Sequence, residues 1–383
     1  MTRPALTDCL YNPSTAAFQD ELWDVYRVMR DEHPVYHDPR GSFIALTRFA
    51  DVWEAVHDPE GFSSLVDEQQ NFLPQLIYMD PPRHSELRSL ISRAFTPKRV
   101  AEIEGLVRRV ARHLIDDIAA AGGCDLQRDY AAVVPSVVIA RMIGVTDEHI
   151  ESFRSWTDSF LEIQGPDDYA VATTKIYGLF AELLEERRRS PRDDLMTALL
   201  EAEVDGQRLS DNELLGFCLL LILAGNDTTT SLIGSASVLL ARHPDQRARL
   251  QQEPERWANA VEEVTRIESP VQALPRTATR PATFHGVTIP AGSRVMLVWG
   301  AANHDDREFT DPERFDVTRT ISRHLAFGHG IHYCLGSNLA RLEARVALAE
   351  WNHRFPDYAL VGDPERAVSI WARAFAHIPV TVG

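Results

Sequence analysis

The sequence predicts a mainly helical fold with small β-sheets, of the α+β class, in a single domain covering residues 1–383. Three observations lead to this prediction. Helical patterns follow one another almost without interruption between Pro97 and Ala241. β-rich segments collect near the two ends of the chain. Finally, no Gly/Ser/Pro-rich linker and no internal repeat divides a length that would allow two or three domains.

The clearest predicted element is a long central helix. Ser210 and Glu213 have the spacing of a capping box, and an apolar-rich pattern runs from there to about Arg242 and stops at Pro244. A helix of about 30 residues is long for a globular protein, so we expect it to be buried. The other predicted helices cover Asp20–His33, Asp51–His57, a segment from Pro82 to Phe95, Pro97–Ala120, Val133–Ile143, Glu148–Glu162, Asp168–Arg189, Asp193–Glu203, Pro254–Ile267 and Leu335–Phe355. Strands are predicted in Ser42–Thr47, in Ala282–Val298 and from Tyr358 onward, and Phe62–Met79 is predicted to be a long loop.

Composition and charge exclude several classes of protein. Lys and Arg number 39 against 56 Asp and Glu, a formal charge of −17, which argues against general binding of nucleic acid. Cys9, Cys124, Cys218 and Cys334 form no CxxC pair, so a reducing cytoplasm is expected. The N-terminus lacks the apolar region of a signal peptide. The longest apolar run, Leu214–Gly225, is too short to span a membrane.

The most informative segment is the glycine-rich stretch from Phe327 to Gly336, which carries Cys334 directly before the last long helix. A helix N-terminus offers unpaired N–H groups and partial positive charge, which stabilise a thiolate. Gly330 and Gly336 allow the backbone to approach a flat cofactor. Such a thiolate is a suitable axial ligand for a haem iron.

Two alternatives apply to this segment. A lone cysteine is most often a small buried hydrophobic residue, as is expected for the other three cysteines. Zinc is the second alternative, because His324, His329 and His332 lie close to Cys334 in sequence. Their spacing on a glycine-rich loop does not match the usual paired zinc ligands.

The segment resembles the haem-binding loop of the cytochrome P450 family, whose pattern is Phe-x-x-Gly-x-x-x-Cys-x-Gly. Phe327, Gly330, Cys334 and Gly336 occupy every fixed position, and Gly328 lies between them. The resemblance extends over nearly the whole chain and is strongest to soluble bacterial members. It implies a haem b (iron protoporphyrin IX) with Cys334 as the iron ligand.

The long helix carries a second motif, from Ala224 through Gly225 to Asp227 and Thr228. Glycine in a helix costs about 1 kcal/mol relative to alanine, so it usually has a reason. Gly225 could open the backbone, with the Thr228 hydroxyl bonding back to the Ala224 carbonyl. The alternative is a close helix crossing. The family resemblance implies that Ala224 and Gly225 lie against the haem, and that Asp227 and Thr228 deliver protons to dioxygen.

Charged residues are expected to support this site. Glu263 and Arg266 stand at i, i+3 on a helix, a weak pattern that also occurs in the exposed pair Glu253 and Arg256. By resemblance, the first pair holds the segment before the cysteine loop together with Arg319 or Arg314. The resemblance also assigns four residues to the two haem propionates, which need cationic partners. They are His84, Arg88, Arg276 and His332.

Substrate contacts are expected in mainly apolar segments, by the same resemblance. The predicted residues are Phe72, Leu220, Leu223, Ala273, Leu274 and Phe375. A pocket of this kind suits a hydrophobic molecule held mostly by burial. Aromatic residues at these positions could equally belong to the core.

The predicted function is a cytoplasmic haem-thiolate monooxygenase that inserts one oxygen atom of O2 into a small-to-medium hydrophobic substrate. The chain contains no visible flavin or iron–sulfur domain, so a separate ferredoxin and reductase should supply the electrons. A local basic patch of Arg93, Lys98, Arg99, Arg112, Arg341 and Arg345 is the expected docking surface. The alternatives are a peroxygenase that uses H2O2 and a non-enzymatic haem sensor; the pair Asp227 and Thr228 argues against both.

Overall fold

α-Helices cover about half of the described residues in a computed structural model, which describes residues 9–65, 75–92, 95–146, 149–150, 153, 166–204, 206–370 and 372–382. The α-helices are α1 (Ala16–Asp20), α2 (Leu22–Glu32), α3 (Phe49–Val56), α4 (Arg83–Ser92), α5 (Pro97–Glu102), α6 (Glu104–Ala121), α7 (Val133–Ile143), α8 (Pro166–Arg189), α9 (Leu195–Glu201), α10 (Asp211–Arg242), α11 (Pro244–Gln252), α12 (Trp257–Glu268), α13 (Trp299–Ala302) and α14 (Ser337–Arg354). Single turns of 3-10 helix cover Leu76–Tyr78, Pro254–Arg256 and Gly330–His332, and a π-helical turn covers Gln127–Ala131. The predicted mainly helical fold with small sheets is confirmed.

The strands are short, and most lie towards the two ends of the chain. They are β1 (Val35–His37), β2 (Ile44–Leu46), β3 (Phe62–Ser63), β4 (Gly123–Asp125), β5 (Glu203–Val204), β6 (Gln207–Arg208), β7 (Leu274–Ala278), β8 (Ala282–Phe284), β9 (Val287–Ile289), β10 (Arg294–Leu297), β11 (Ala359–Leu360), β12 (Glu365–Arg366), β13 (Phe375–His377) and β14 (Pro379–Thr381). The largest sheet has the order β1-β2-β10-β7-β3, in which β2 and β10 are parallel and the other pairs antiparallel. This sheet joins β1, β2 and β3 to β7, the strand that carries Arg276.

The central helix α10 is the longest element, at 32 residues. Its predicted capping box is present: the Ser210 side chain accepts from the Glu213 N–H, and the Glu213 carboxylate accepts from the Ser210 N–H. It packs against α7, α8, α12 and α14. Among the described residues it is the one helix long and apolar enough to cross a membrane, and 67% of its most apolar window is buried, as expected for a core helix.

Several predicted boundaries are corrected. The single helix predicted for Pro97–Ala120 is two helices, because the Ile103 N–H bonds to the Val100 carbonyl in a tighter turn that ends α5. The helix predicted to begin at Asp20 is preceded by α1. The strands that were not predicted are β1, β3, β4, β5, β6 and β7, and the helices that were not predicted, besides α1, are α11 and α13. The helix predicted for Glu148–Glu162 lies mostly outside the described residues.

Candidate active site around Cys334

The segment before α14 is a tight loop closed by its own backbone. The Cys334 N–H donates to the Phe327 carbonyl at 2.8 Å, and Gly328 and Gly330 have φ values of 62° and 67°. A Cβ at Gly330 would lie 2.4 Å from the backbone oxygen of Val56, at the end of α3. Glycine is therefore required at position 330 by both the backbone conformation and the neighbouring helix.

Cys334 is a half-buried free thiol three residues before the first residue of α14. Burial raises its pKa. The backbone amides of Gly336 and Ser337 and the charges of Arg341 and Arg88 oppose that rise in the thiol pKa. These groups are the ones that would stabilise a thiolate once a metal cation shares its charge.

The three histidines near Cys334 in sequence point to different places. His324 bonds to Glu262, His329 Nδ1 lies 2.8 Å from His57 Nε2, and His332 bonds to Ser64. In the described part of the chain, no three His, Cys, Asp or Glu side chains are grouped as metal ligands. This arrangement argues against the zinc alternative.

Four cationic or potentially cationic side chains meet beside the loop. The His84 and His332 rings contact each other at an interplanar angle of 48°, with centroids 4.2 Å apart, and Arg88 donates to the Tyr333 carbonyl. Arg276 is buried, and its Nη1 donates to the carbonyl of Pro275. Among the described residues, neither ring nitrogen of the buried His84 has a hydrogen-bond partner.

Positive charge on one of these four side chains disfavours positive charge on the others. Burial, Arg88 and Arg276 lower the pKa of His84 to about 4, although Asp80 opposes this shift. Burial, Arg276, His84 and Arg88 lower the pKa of His332 to about 3, and burial lowers that of Arg276 to about 10. A buried group of this kind is stabilised by a bound anion. The His84 nitrogens and the buried Arg276 therefore fit the two carboxylates of a haem. At Gly336, next to the cysteine loop, no described atom lies within 4 Å of an added Cβ, which leaves open space there.

On α10, the Thr228 hydroxyl donates to the Ala224 carbonyl at 2.6 Å, as expected. The expected opening of the helix at Gly225 is absent, because α10 is continuous. A Cβ at Gly225 would lie 2.7 Å from Cδ1 of Ile139 on α7, so this glycine permits close packing of two helices. Of the two explanations for Gly225, the helix crossing agrees with this contact.

Glu263 forms a buried ion-pair cluster. Arg266 donates to both of its carboxylate oxygens, at 2.8 and 2.9 Å, and Arg319 donates to one of them at 3.0 Å. Arg319 also donates to the carbonyls of Thr310, Asp311 and Arg314. The third partner is thus Arg319, whereas Arg314 pairs with Asp316.

The predicted pocket residues fall into two groups. Leu220, Leu223 and Leu274 are half-buried, as a lining residue would be. Ala273 packs in an apolar cluster with N-terminal residues, and Phe375 packs in the main core beneath the Arg366 guanidinium. These contacts favour core roles for Ala273 and Phe375. Phe72 lies outside the described residues.

The comparisons with known proteins agree with this geometry. The family model for cytochrome P450 matches residues 167–356. The vitamin D(3) 25-hydroxylase of Pseudonocardia autotrophica is 39% identical over 96% of each chain. The chain belongs to the cytochrome P450 family.

Two solved structures also match this P450. CYP109Q5 of Chondromyces apiculatus has a TM-score of 0.88 at 35% identity, covering 97% of this chain and 98% of that one. CYP109E1 of Bacillus megaterium in complex with testosterone has a TM-score of 0.89 at 31% identity, covering 97% and 100%.

Family membership makes the protein a haem-thiolate monooxygenase. Two residues beside the P450 loop were missed from the sequence: Ser64, which bonds to His332, and Glu262, which bonds to His324. His324 itself was considered only as a possible zinc ligand. Arg341 was assigned to an exposed basic patch, but its side chain is only 30% exposed and pairs with Glu262. The sequence did contain a signal for Glu262, which is next to Glu263 on one helix. Because adjacent helical residues face different directions, Glu262 had to have a partner other than Arg266.

Proposed function

We propose that this P450 inserts one oxygen atom of O2 into a hydrophobic molecule of about sterol size and reduces the other oxygen atom to water. Two protons and two electrons are consumed, the electrons coming from a separate ferredoxin-type protein. The names of the relatives, one acting on vitamin D3 and one holding testosterone, support the substrate class.

The observation that carries the proposal is one face of α10. Leu220, then Leu223 and Ala224, then Asp227 and Thr228 follow the i, i+3/i+4, i+7/i+8 spacing that places residues on one side of a helix. All of them are half-buried or exposed, whereas Leu219, Leu221, Ile222 and Asn226 are buried. The helix thus presents an apolar surface next to an acid and an alcohol.

The chain's own residues have distinct proposed roles towards the cofactor. Cys334 would bind the haem iron through Sγ, and His84, Arg88, Arg276 and His332 would bind the propionates. Ala224, Gly225, Phe327, Gly328 and Gly336 would contact its flat surface. When bound, the haem supplies the iron at which dioxygen is activated, and the thiolate ligand favours cleavage of the O–O bond.

Asp227 and Thr228 are proposed to move protons. Thr228 Oγ1 would hold a proton towards the interior, and the Asp227 carboxyl would replace it from solvent. The Asn226 side chain donates to the Asp227 carboxylate at 3.4 Å, and the Ser231 hydroxyl donates to the Asp227 backbone carbonyl at 2.7 Å.

Asp227→Asn should lower O2-dependent turnover about 10²–10⁴-fold, the usual contribution of a proton-transfer group. Turnover driven by H2O2 should fall much less, because the peroxide brings its own protons. Product formation is measured under both conditions. Equal losses under the two conditions would contradict the proton-transfer role.

Thr228→Val should uncouple the reaction, so that electrons are consumed without product, while Thr228→Ser should keep most of the coupling because it retains the hydroxyl. The matched control is Ser237→Ala, since the buried Ser237 hydroxyl makes the same i−4 bond on α10, to Ile233. The measurement is product formed per reductant consumed. A Thr228→Val enzyme that stays coupled would contradict the proposed role of the Thr228 hydroxyl in proton transfer.

The substrate class can be tested by spectroscopy. Vitamin D3 and testosterone should displace a haem-bound water and change the spin state at lower concentration than a small apolar compound does. The compounds that bind are then incubated with O2, ferredoxin and reductase. Binding without oxidation of any of them would support the sensor alternative, and full turnover with H2O2 alone would support a peroxygenase.

The electron donor is proposed to dock where α5 and α6 pack against α14, the helix that follows Cys334. Lys98 and Arg99 are exposed there. Arg112 is exposed as well and pairs with the buried Glu350, and the half-buried Arg345 pairs with Glu104. Arg93 lies outside the described residues. We also propose that residues 1–383 form one haem-binding domain and that the protein works in the cytoplasm.

Reversing two of these charges, Arg112→Glu with Arg345→Glu, should slow electron transfer from ferredoxin about tenfold or more at low ionic strength and flatten its salt dependence. The control is Arg189→Glu, an exposed arginine on α8. Stopped-flow reduction of the haem at several salt concentrations gives both quantities. An unchanged rate and salt dependence would exclude this surface.

A further inference from the structure

Behind the cysteine loop lies an ion-pair cluster of Glu262, His324 and Arg341. Both oxygens of the Glu262 carboxylate accept from the Arg341 guanidinium, the longer contact being 3.0 Å from Nη2 to Oε2. His324 Nε2 lies 3.0 Å from Oε2, and its Nδ1 accepts from the Ala326 N–H, so the ring proton is on Nε2. The cluster thus joins one carboxylate to one guanidinium and one imidazole through shared hydrogen bonds.

This cluster contacts the loop on both sides of the stretch that leads to Cys334. The Arg341 guanidinium lies 4.2 Å from the ring centroid of Phe327, and the His324 ring lies 5.7 Å from the same ring. Arg341 Nη1 also donates to the Tyr333 hydroxyl at 3.0 Å. The backbone of Phe327 in turn accepts the hydrogen bond from Cys334. The Glu262 carboxylate therefore positions the side chains of Arg341 and His324. Both of these contact Phe327, whose carbonyl accepts from the Cys334 N–H, and Arg341 also bonds to Tyr333, which precedes Cys334.

The charges at this cluster matter because it is largely shielded from solvent. Burial alone would raise the pKa of Glu262, but hydrogen bonds from His324 and Arg341 lower it to about 2, so it is a carboxylate at neutral pH. Arg341 is close enough to Cys334 to favour its thiolate form. In a partly buried site charges are weakly screened. If the Glu262 carboxylate were neutralised, the positive charge of Arg341 would therefore act more strongly on Cys334.

We propose that Glu262 is a positioning residue that offsets the charge of Arg341 and thereby sets how strongly the Cys334 thiolate donates electron density to the haem iron. The inference rests on the proposed haem ligation by Cys334. The redox potential of a thiolate-bound haem depends on charge and hydrogen bonding around the sulfur. An uncompensated positive charge should withdraw electron density from the thiolate, which makes the iron easier to reduce.

The test is the reduction potential of the substrate-free holoenzyme. Glu262→Gln keeps the side-chain shape and should move the potential to a more positive value. Arg341→Gln should move it to a more negative value, and the double variant should return towards the wild type. Glu104→Gln is the matched control, because Glu104 pairs with Arg345 one turn further along α14, and it should leave the potential unchanged.

Arg341→Lys separates charge from shape, since it keeps the positive charge but loses the two-pronged contact with Glu262. The reduction potential of Arg341→Lys should stay near that of the wild type. If Glu262→Gln cannot be loaded with haem, the difference in potential between Arg341→Gln and Arg341→Lys tests whether the charge of Arg341 acts on the iron. Potentials that do not move, or that all move in one direction, overturn the inference. If the wild type itself lacks the thiolate-type carbon monoxide spectrum, the proposed function fails instead.

Discussion

Replacing Cys334 with serine should abolish the thiolate-type carbon monoxide spectrum and O2-dependent turnover. Serine has nearly the same size, so the loop can keep its hydrogen bond from residue 334 to Phe327. A serine hydroxyl, however, remains protonated at neutral pH and cannot donate electron density to an iron as a thiolate does. The measurement is the difference spectrum of the reduced, carbon monoxide-treated protein at equal haem content.

The control for this substitution is Cys124→Ser. Cys124 is half-buried on β4, and burial with the charges of Asp129 and Asp125 raises its pKa to about 12, so it is a neutral thiol. Its replacement should leave the spectrum unchanged. A thiolate spectrum that survives in the Cys334 variant would reject the assignment of the ligand, and its loss in the Cys124 variant as well would show that Cys124→Ser is not a neutral control.

Replacing Glu263 with glutamine should lower the free energy of unfolding by about 3–5 kcal/mol, which is typical when one partner of a buried ion pair is removed. The Arg266 and Glu263 side chains are 0% exposed, so the loss leaves Arg266 as an uncompensated buried cation. Arg319, which bridges Glu263 to three backbone carbonyls, would lose its anchor as well. Urea unfolding of the holoenzyme gives the free energy.

The matched control is Glu253→Gln. Glu253 and Arg256 have the same i, i+3 spacing, but their side chains are 37% and 38% exposed, so this substitution should cost no more than about 1 kcal/mol. Equal effects of the two substitutions would show that burial of Glu263 adds nothing. The comparison also tests why one Glu-x-x-Arg pattern among several has a structural role.

Local signals account for the parts of the fold that could be predicted. The capping pair Ser210 and Glu213 and the stop at Pro244 gave α10, and the bounds predicted for α7 are those observed. Several of the short strands could not be predicted, because their partners lie far away in the chain. β4, for example, pairs with β14, whose residues are 379–381. Such pairings leave no periodic pattern within the strand itself.

The same contrast holds at the site. The loop containing Cys334 is a continuous motif, so its residues could be named from the sequence. The explanation of Gly225 needed the position of Ile139, and the partner of Arg341 needed the direction in which Glu262 faces. Both depend on how helices are oriented in space, which the order of residues does not state.

Gly330 ties the cysteine loop to a distant part of the chain, because any side chain at this position would collide with the backbone of Val56. The end of α3 thus restricts the conformation of the cysteine loop by direct backbone contact. A designer who transplants residues 327–336 into another scaffold would have to carry the end of α3 with them. In a library that randomises this loop, position 330 should accept only glycine unless α3 is allowed to vary too.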